Sequence, residues 1–158
     1  MIFFSLLDSM YRIEYISGEI REKSEFMPSI SGVPNILLGN NGSPICLEIH
    51  DQMYLDVCGD DDEGCILVWV DFRDGPYTDL YAQRMDGNGN VLWGVNGTPI
   101  CLEEHDQKYA KLCSDEEGGA LITWMDYRSG QPHYEIFAQR VNSTGDIQWD
   151  VNGTAICT

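Results

Sequence analysis

One stretch of this chain is written twice, and that duplication constrains the fold more than any local pattern does. Residues 41–93 read NGSPICLEIHDQMYLDVCGDDDEGCILVWVDFRDGPYTDLYAQRMDGNGNVLW, and residues 96–149 read NGTPICLEEHDQKYAKLCSDEEGGALITWMDYRSGQPHYEIFAQRVNSTGDIQW. A further start, NGTAICT, occupies residues 152–158. Asn41 and Asn96 lie 55 positions apart, and Asn96 and Asn152 lie 56 apart. A fixed period of this size marks a repeat architecture, in which each copy is one supersecondary unit that buries its faces against its neighbours. The period divides the chain into an irregular segment 1–38, which could be a decayed partial copy, then copies at 39–93 and 94–149 and a third beginning at 150–158.

Within each copy the residues predict strands joined by tight turns. Residues 54–58 and 109–113 are short apolar alternations leading into the acidic turns GDDDEG and SDEEGG. The strongest strands follow at 65–73 and 120–128, then 79–85 and 135–141, and a fourth short strand ends at Trp93 or Trp149. Four strands, each joined to the next by a Gly-rich turn, make a meander. In the second strand Leu67, Trp69, Asp71 and Arg73 share one face, and Ile66, Val68, Val70 and Phe72 the other. Both faces are largely apolar, whereas a β-sandwich turns one polar face of each sheet to water. Sheets covered on both sides by copies of themselves are the blades of a β-propeller. The expected fold is therefore all-β, a β-propeller-type repeat of four-stranded antiparallel blades. Two full copies do not close a ring, which leaves a piece of a larger array, an open stack, or closure by several chains.

Outside the copies less is written. Residues 11–20 alternate weakly around a Ser-Gly turn and suggest a hairpin, residues 19–26 suit a short helix or a loop, and Pro28, Gly32 and Pro34 read as a connector. The first dozen residues make a poor export signal, because Asp8 interrupts the apolar run and no basic segment precedes it. Either the protein stays where it is made or the chain is part of a longer exported one.

Nine Lys and Arg against 26 Asp and Glu give a formal net charge of −17, a surface that repels phosphate backbones and anionic membranes. That argues against nucleic-acid partners and, with no long apolar run, against membrane insertion. Six cysteines without a CxxC suit small buried thiols better than a disulfide framework, although Cys46–Cys58, Cys101–Cys113 and Cys58–Cys65 are conceivable pairs.

Several repeated groups carry potential chemistry. Asp71 with Arg73 and Asp126 with Arg128 stand at strand ends, with Arg84 and Arg140 on the next strand. A ring of such forks suits a carboxylated sugar or peptide. The alternative is a structural bridge, favoured by its exact repetition, since catalytic sites are seldom built once per blade. In the acidic turns Asp60, Asp62, Asp115 and Glu117 offer hard oxygens to Ca²⁺, without EF-hand spacing, or simply a charged hairpin tip. His50-Asp51-Gln52 and His105-Asp106-Gln107 repeat as well, but adjacent strand residues point to opposite faces, and no nucleophile elbow or HExxH accompanies them.

The run SDEEGGALITWMDYRSG, followed by YEIFAQRVNSTGDIQW and NGTAIC, resembles β-propeller-like repeats found in many copies in large secreted or surface-attached bacterial and archaeal proteins. The resemblance covers about three quarters of the chain. It implies an extracellular or cell-envelope location and no particular activity. Ser114, Asp115, Gly118 and Trp124 are also similar, at shifted spacing, to the Asp-box turn of sialidase-type propellers, which is remote from the active site in that family. The expectation is a non-enzymatic scaffold or adhesion element that binds protein or carbohydrate, or associates with itself through exposed blade faces, with no cofactor unless Ca²⁺. The alternative is part of a sialidase- or glycosidase-type propeller hydrolase.

Overall fold

Between Gln52 and Cys157 the chain makes eight strands in two sheets of four. The structure, a computed structural model, describes residues 14–16, 19–21, 42–130 and 133–157. Contacts divide the chain into two units, Met1–Val33 and Pro34–Thr158. In the first, β1 (Glu14–Ile16) and β2 (Glu19–Arg21) form an antiparallel hairpin with Tyr15 opposite Ile20, which is the hairpin expected there. Residues 19–21 are thus strand rather than helix. The connector at Pro28–Pro34 and the question of a decayed copy within 1–38 lie outside the described residues.

The second unit is two meanders. The first comprises β3 (Gln52–Gly59), β4 (Cys65–Asp71), β5 (Asp79–Met85) and β6 (Thr98–Cys101), hydrogen-bonded in that order. The second comprises β7 (Gln107–Ser114), β8 (Ala120–Asp126), β9 (Glu135–Val141) and β10 (Thr154–Cys157), again in order. Every pairing is antiparallel, and the described residues contain no helix. The two sheets do not close into a ring.

The fourth strand departs from expectation. Residues near Trp93 contribute only one isolated bridge, Met85 to Val91, and Ile147 does the same with Val141. The cause is the Gln83 side chain. Its Oε1 accepts from the main chain of Arg84 (3.0 Å) and Trp93 (2.9 Å), and its Nε2 donates to Gly94 O (2.8 Å). A carboxamide thus replaces the strand ladder, and the chain crosses over before Asn96 and Gly97, both at positive φ, turn it back to pair as β6. Gln139 makes the same three bonds around Trp149. The TPIC and TAIC segments that begin each sequence copy are therefore the outer strands of the preceding meander.

Both faces of β4 are buried, as its composition predicts. Ile66, Val68 and Val70 pack with Ala110, Ile122 and Trp124 of the second sheet in one apolar cluster. Each aliphatic side chain so covered contributes about 1.5–3 kcal/mol. The opposite face is closed locally: the crossover at Gly97 lies on the Trp69 ring, and Tyr81 stacks beside it. All six cysteines are free thiols, so none of the conceivable disulfides is formed; Cys101 is buried, whereas Cys113 and Cys157 are exposed.

Candidate functional site

The strand-end Asp and Arg residues meet in a bracket built twice. Asp71 is fully buried at the end of β4, where its Oδ2 accepts from Trp69 Nε1 (2.8 Å) and Arg73 Nη2 (2.7 Å) and its Oδ1 from Arg73 N (2.9 Å). The guanidinium lies 3.7 Å over the Tyr81 ring and reaches Asn96 O (2.9 Å) and Cys46 Sγ (3.3 Å). Asp126, Trp124 and Arg128 repeat this, with Phe137 beneath the guanidinium at 3.6 Å and Asn152 O and Cys101 Sγ at its far side. Burial pushes both carboxyls up, yet the bonds from arginine and indole outweigh it and hold them below the usual carboxylate range. Each bracket ties a strand end, the crossover and the segment that precedes its own meander.

Arg84 and Arg140 form a second pair with the acidic turns. Asp60 is 1% exposed; its Oδ1 accepts from the backbone of Asp62 (3.0 Å) and Gly64 (2.7 Å), and its Oδ2 from Arg84 Nε (2.7 Å). Asp115 does likewise with Glu117 N, Gly119 N and Arg140 Nε. The first acid of each turn is therefore an internal staple, while the exposed side chains of Asp62 (87%) and Glu117 (74%) pair from the solvent side with Arg84 (3.6 Å) and Arg140 (2.5 Å). Gly64 and Gly119 are required because a Cβ there would run into the staple carboxylate and the facing strand. Among the described residues no group of three or more His, Cys, Asp or Glu side chains is placed to hold a metal ion.

The HDQ motif is the entry to each first strand. Gln107 Nε2 donates to Glu103 O and His105 O, while Asp106 accepts from Thr78 N (3.1 Å), the Thr78 hydroxyl and Lys108 Nζ (2.7 Å). His105 meets the edge of Tyr77 at 4.9 Å. The motif joins the second sheet to the first sheet's β4–β5 loop. Nearby, Asp74, Tyr77, Asp79, Glu103 and Glu104 line a shallow acidic recess. Burial, followed by the charges of Asp74 and Asp71, raises the Asp79 carboxyl to about 6.

Two further residues stand out only in the structure. Tyr54 and Tyr109 occupy the same position of β3 and β7, at bulges where the register shifts. Their φ values are 55° and 56°, a conformation costly for a bulky side chain, and they remain 60% and 59% exposed. Their rings lie 6.4 Å apart. The available sequence signal was a tyrosine two places after HDQ in copy one and in copy two; its exposure and backbone leave no trace in residue patterning.

No protein-family model, curated protein or solved structure matches this chain.

Proposed function

We propose that this chain is a β-propeller-type repeat module acting as a non-enzymatic scaffold at a cell surface or outside the cell, and that it binds a carbohydrate or protein along the edge carrying Tyr54 and Tyr109. The carrying observation is a division of labour repeated in both sheets. Groups able to grip an anionic ligand (Asp71, Arg73, Arg84, Asp126, Arg128 and Arg140) are committed to internal bonds. The paired tyrosines are exposed, and bulges aim them outward at a backbone cost. Aromatic faces stack on the apolar faces of sugars and anchor protein contacts at low entropic cost. Consecutive meanders with adjacent first strands support the propeller-type reading, and the location rests on the sequence resemblance. Calcium is not assigned to the turns, because Asp60 and Asp115 already engage both carboxylate oxygens.

The test is a glycan array followed by calorimetry on any oligosaccharide captured, with wild type beside Tyr54→Ala and Tyr109→Ala. Affinity lost in the tyrosine variants with an unchanged circular dichroism spectrum supports the reading. Binding indifferent to both tyrosines overturns it.

A further inference from the structure

The two sheets of this chain are joined by a contact in which their first strands, β3 and β7, bring equivalent positions side by side. Asp56 on β3 and Lys111 on β7 are equivalent by the repeat, and Asp56 Oδ1 lies 3.4 Å from Lys111 Nζ. Tyr54 faces Tyr109 in the same way. Behind this line the second sheet covers one face of the first: Ile66, Val68 and Val70 are 0% exposed, and Trp93 is capped by Gly145 and donates from its indole to Ser143 O.

The second sheet presents the same face with nothing on it among the described residues. Thr123 stands at the position of Val68 and is exposed. Trp149 stands at the position of Trp93 and is 42% exposed, and Ile156, at the position of the buried Ile100, is 62% exposed. The other side of the contact is also present and vacant on the first sheet. Leu55, at the position of Ala110 (2% exposed), is 48% exposed, and Gly89 keeps at φ 83° the turn glycine that Gly145 uses to cap a tryptophan.

We infer that the open face of the second sheet docks the first sheet of another copy of this chain, by repeating the contact that joins the two sheets within one copy. Charge complementarity selects this occupant. At the new junction Lys111 takes the place of Asp56 and meets the next copy's Asp56 in the place of Lys111, so the ion pair re-forms with its partners exchanged. The bond that Asp56 Oδ2 accepts from Leu112 N within one copy has no counterpart there. Arg84 reaches across the internal junction to Ser143 O (3.1 Å). Arg140, its equivalent, meets the main-chain carbonyl of the next copy's Gly87, the residue at the Ser143 position. The contact is head-to-tail, so it closes into a ring where the rotation between copies permits and otherwise extends as a stack. The inference rests on the modular reading but not on any carbohydrate ligand.

The test is sedimentation velocity on the full chain across the micromolar range, in salt near 0.15 M so that the net charge is screened beyond about 8 Å. Wild type is expected to form species heavier than a monomer as concentration rises. Thr123→Lys puts a charge at the centre of the open face, across the strand pair from Lys111; association is expected to weaken at least about tenfold with an unchanged dichroism spectrum. Thr123→Val, which installs the residue of the first sheet, is expected to strengthen it. A wild type that stays monomeric throughout overturns the inference, as does assembly that Thr123→Lys leaves intact. A monomer that still binds a glycan through Tyr54 and Tyr109 leaves the proposed function standing.

Discussion

The indole of Trp69 donates to the carboxylate of Asp71 across 2.8 Å, and Trp124 does the same to Asp126 at the same distance. The two partners sit one pleat apart on the same strand face, so the bond fixes the tryptophan rotamer and holds the carboxylate under the arginine two residues on. Three donors converge on a carboxyl that has no contact with water. Such a group is stable only while all of its partners are in place.

Asp71→Asn is the sharpest probe of that bracket. An amide presents one acceptor oxygen where two are in use, and it turns an NH₂ toward a donor. Breaking one side of a buried pair costs on the order of 3–5 kcal/mol. Urea unfolding should show a loss of this size for Asp71→Asn and a similar one for Asp126→Asn. A loss below 1 kcal/mol in both would show that the bracket is not holding the strand end.

Acid should act on the same groups. Asp60, Asp71, Asp115 and Asp126 all have carboxyls held below their ordinary value: burial opposes this, and bonds from arginine and backbone NH groups win. A depressed folded value means that the stability contributed is fully present above the unfolded pKa and is lost as pH falls through the folded one. Melting followed downward from about pH 4, near the unfolded value, should fall steeply, and the fall should be shallower in Asp71→Asn.

Gly97 separates two reasons for a glycine. Its φ is 93°, and a Cβ would meet the Trp69 ring at 2.6 Å and Ala82 O at 3.0 Å. Gly75 also has positive φ, 134°, but a Cβ there meets nothing within 4 Å. Gly75→Ala carries backbone strain alone, of about 1–3 kcal/mol. Gly97→Ala carries strain and a clash with an already buried indole, and should cost about 1–3 kcal/mol more. Chemical denaturation of the two variants reads the difference directly, and equal losses would mean that the indole moves aside freely.

Much of this was legible in the sequence because alternation in β4 and β8 marks two apolar faces, and doubly buried sheets have few alternatives. The Asp and Arg groupings were legible as positions but not as bonds. Asp60 reads as one of four acids at a solvated tip, yet it is the only one of GDDDEG turned inward, and only the chain reversal that brings Arg84 beside it reveals this. The fourth strand was misplaced because Val91, Leu92 and Trp93 have strand-like composition, whereas the deciding bonds come from Gln83, ten residues earlier. Positive φ at Tyr54 was illegible for a simpler reason: glycine or asparagine advertises that conformation, and tyrosine does not.

Asp79 should behave in the opposite sense to the bracket acids. It is 8% exposed, and burial with the neighbouring charges of Asp74 and Asp71 raises its carboxyl from 3.8 to about 6, against the pull of Arg73. The folded state therefore binds this proton more tightly than the unfolded one. Its contribution is present below the unfolded pKa and is lost as pH rises through about 6, so at neutral pH the ionised group is a liability. Asp79→Asn keeps the shape and removes the charge. At pH 7 it should be more stable than wild type, by at most about 3 kcal/mol for a shift of roughly two units. Because wild type is itself protonated in acid, the advantage should vanish near pH 4. Melting temperatures of both proteins at the two pH values decide it: a gap that does not change with pH would place the effect in packing rather than charge.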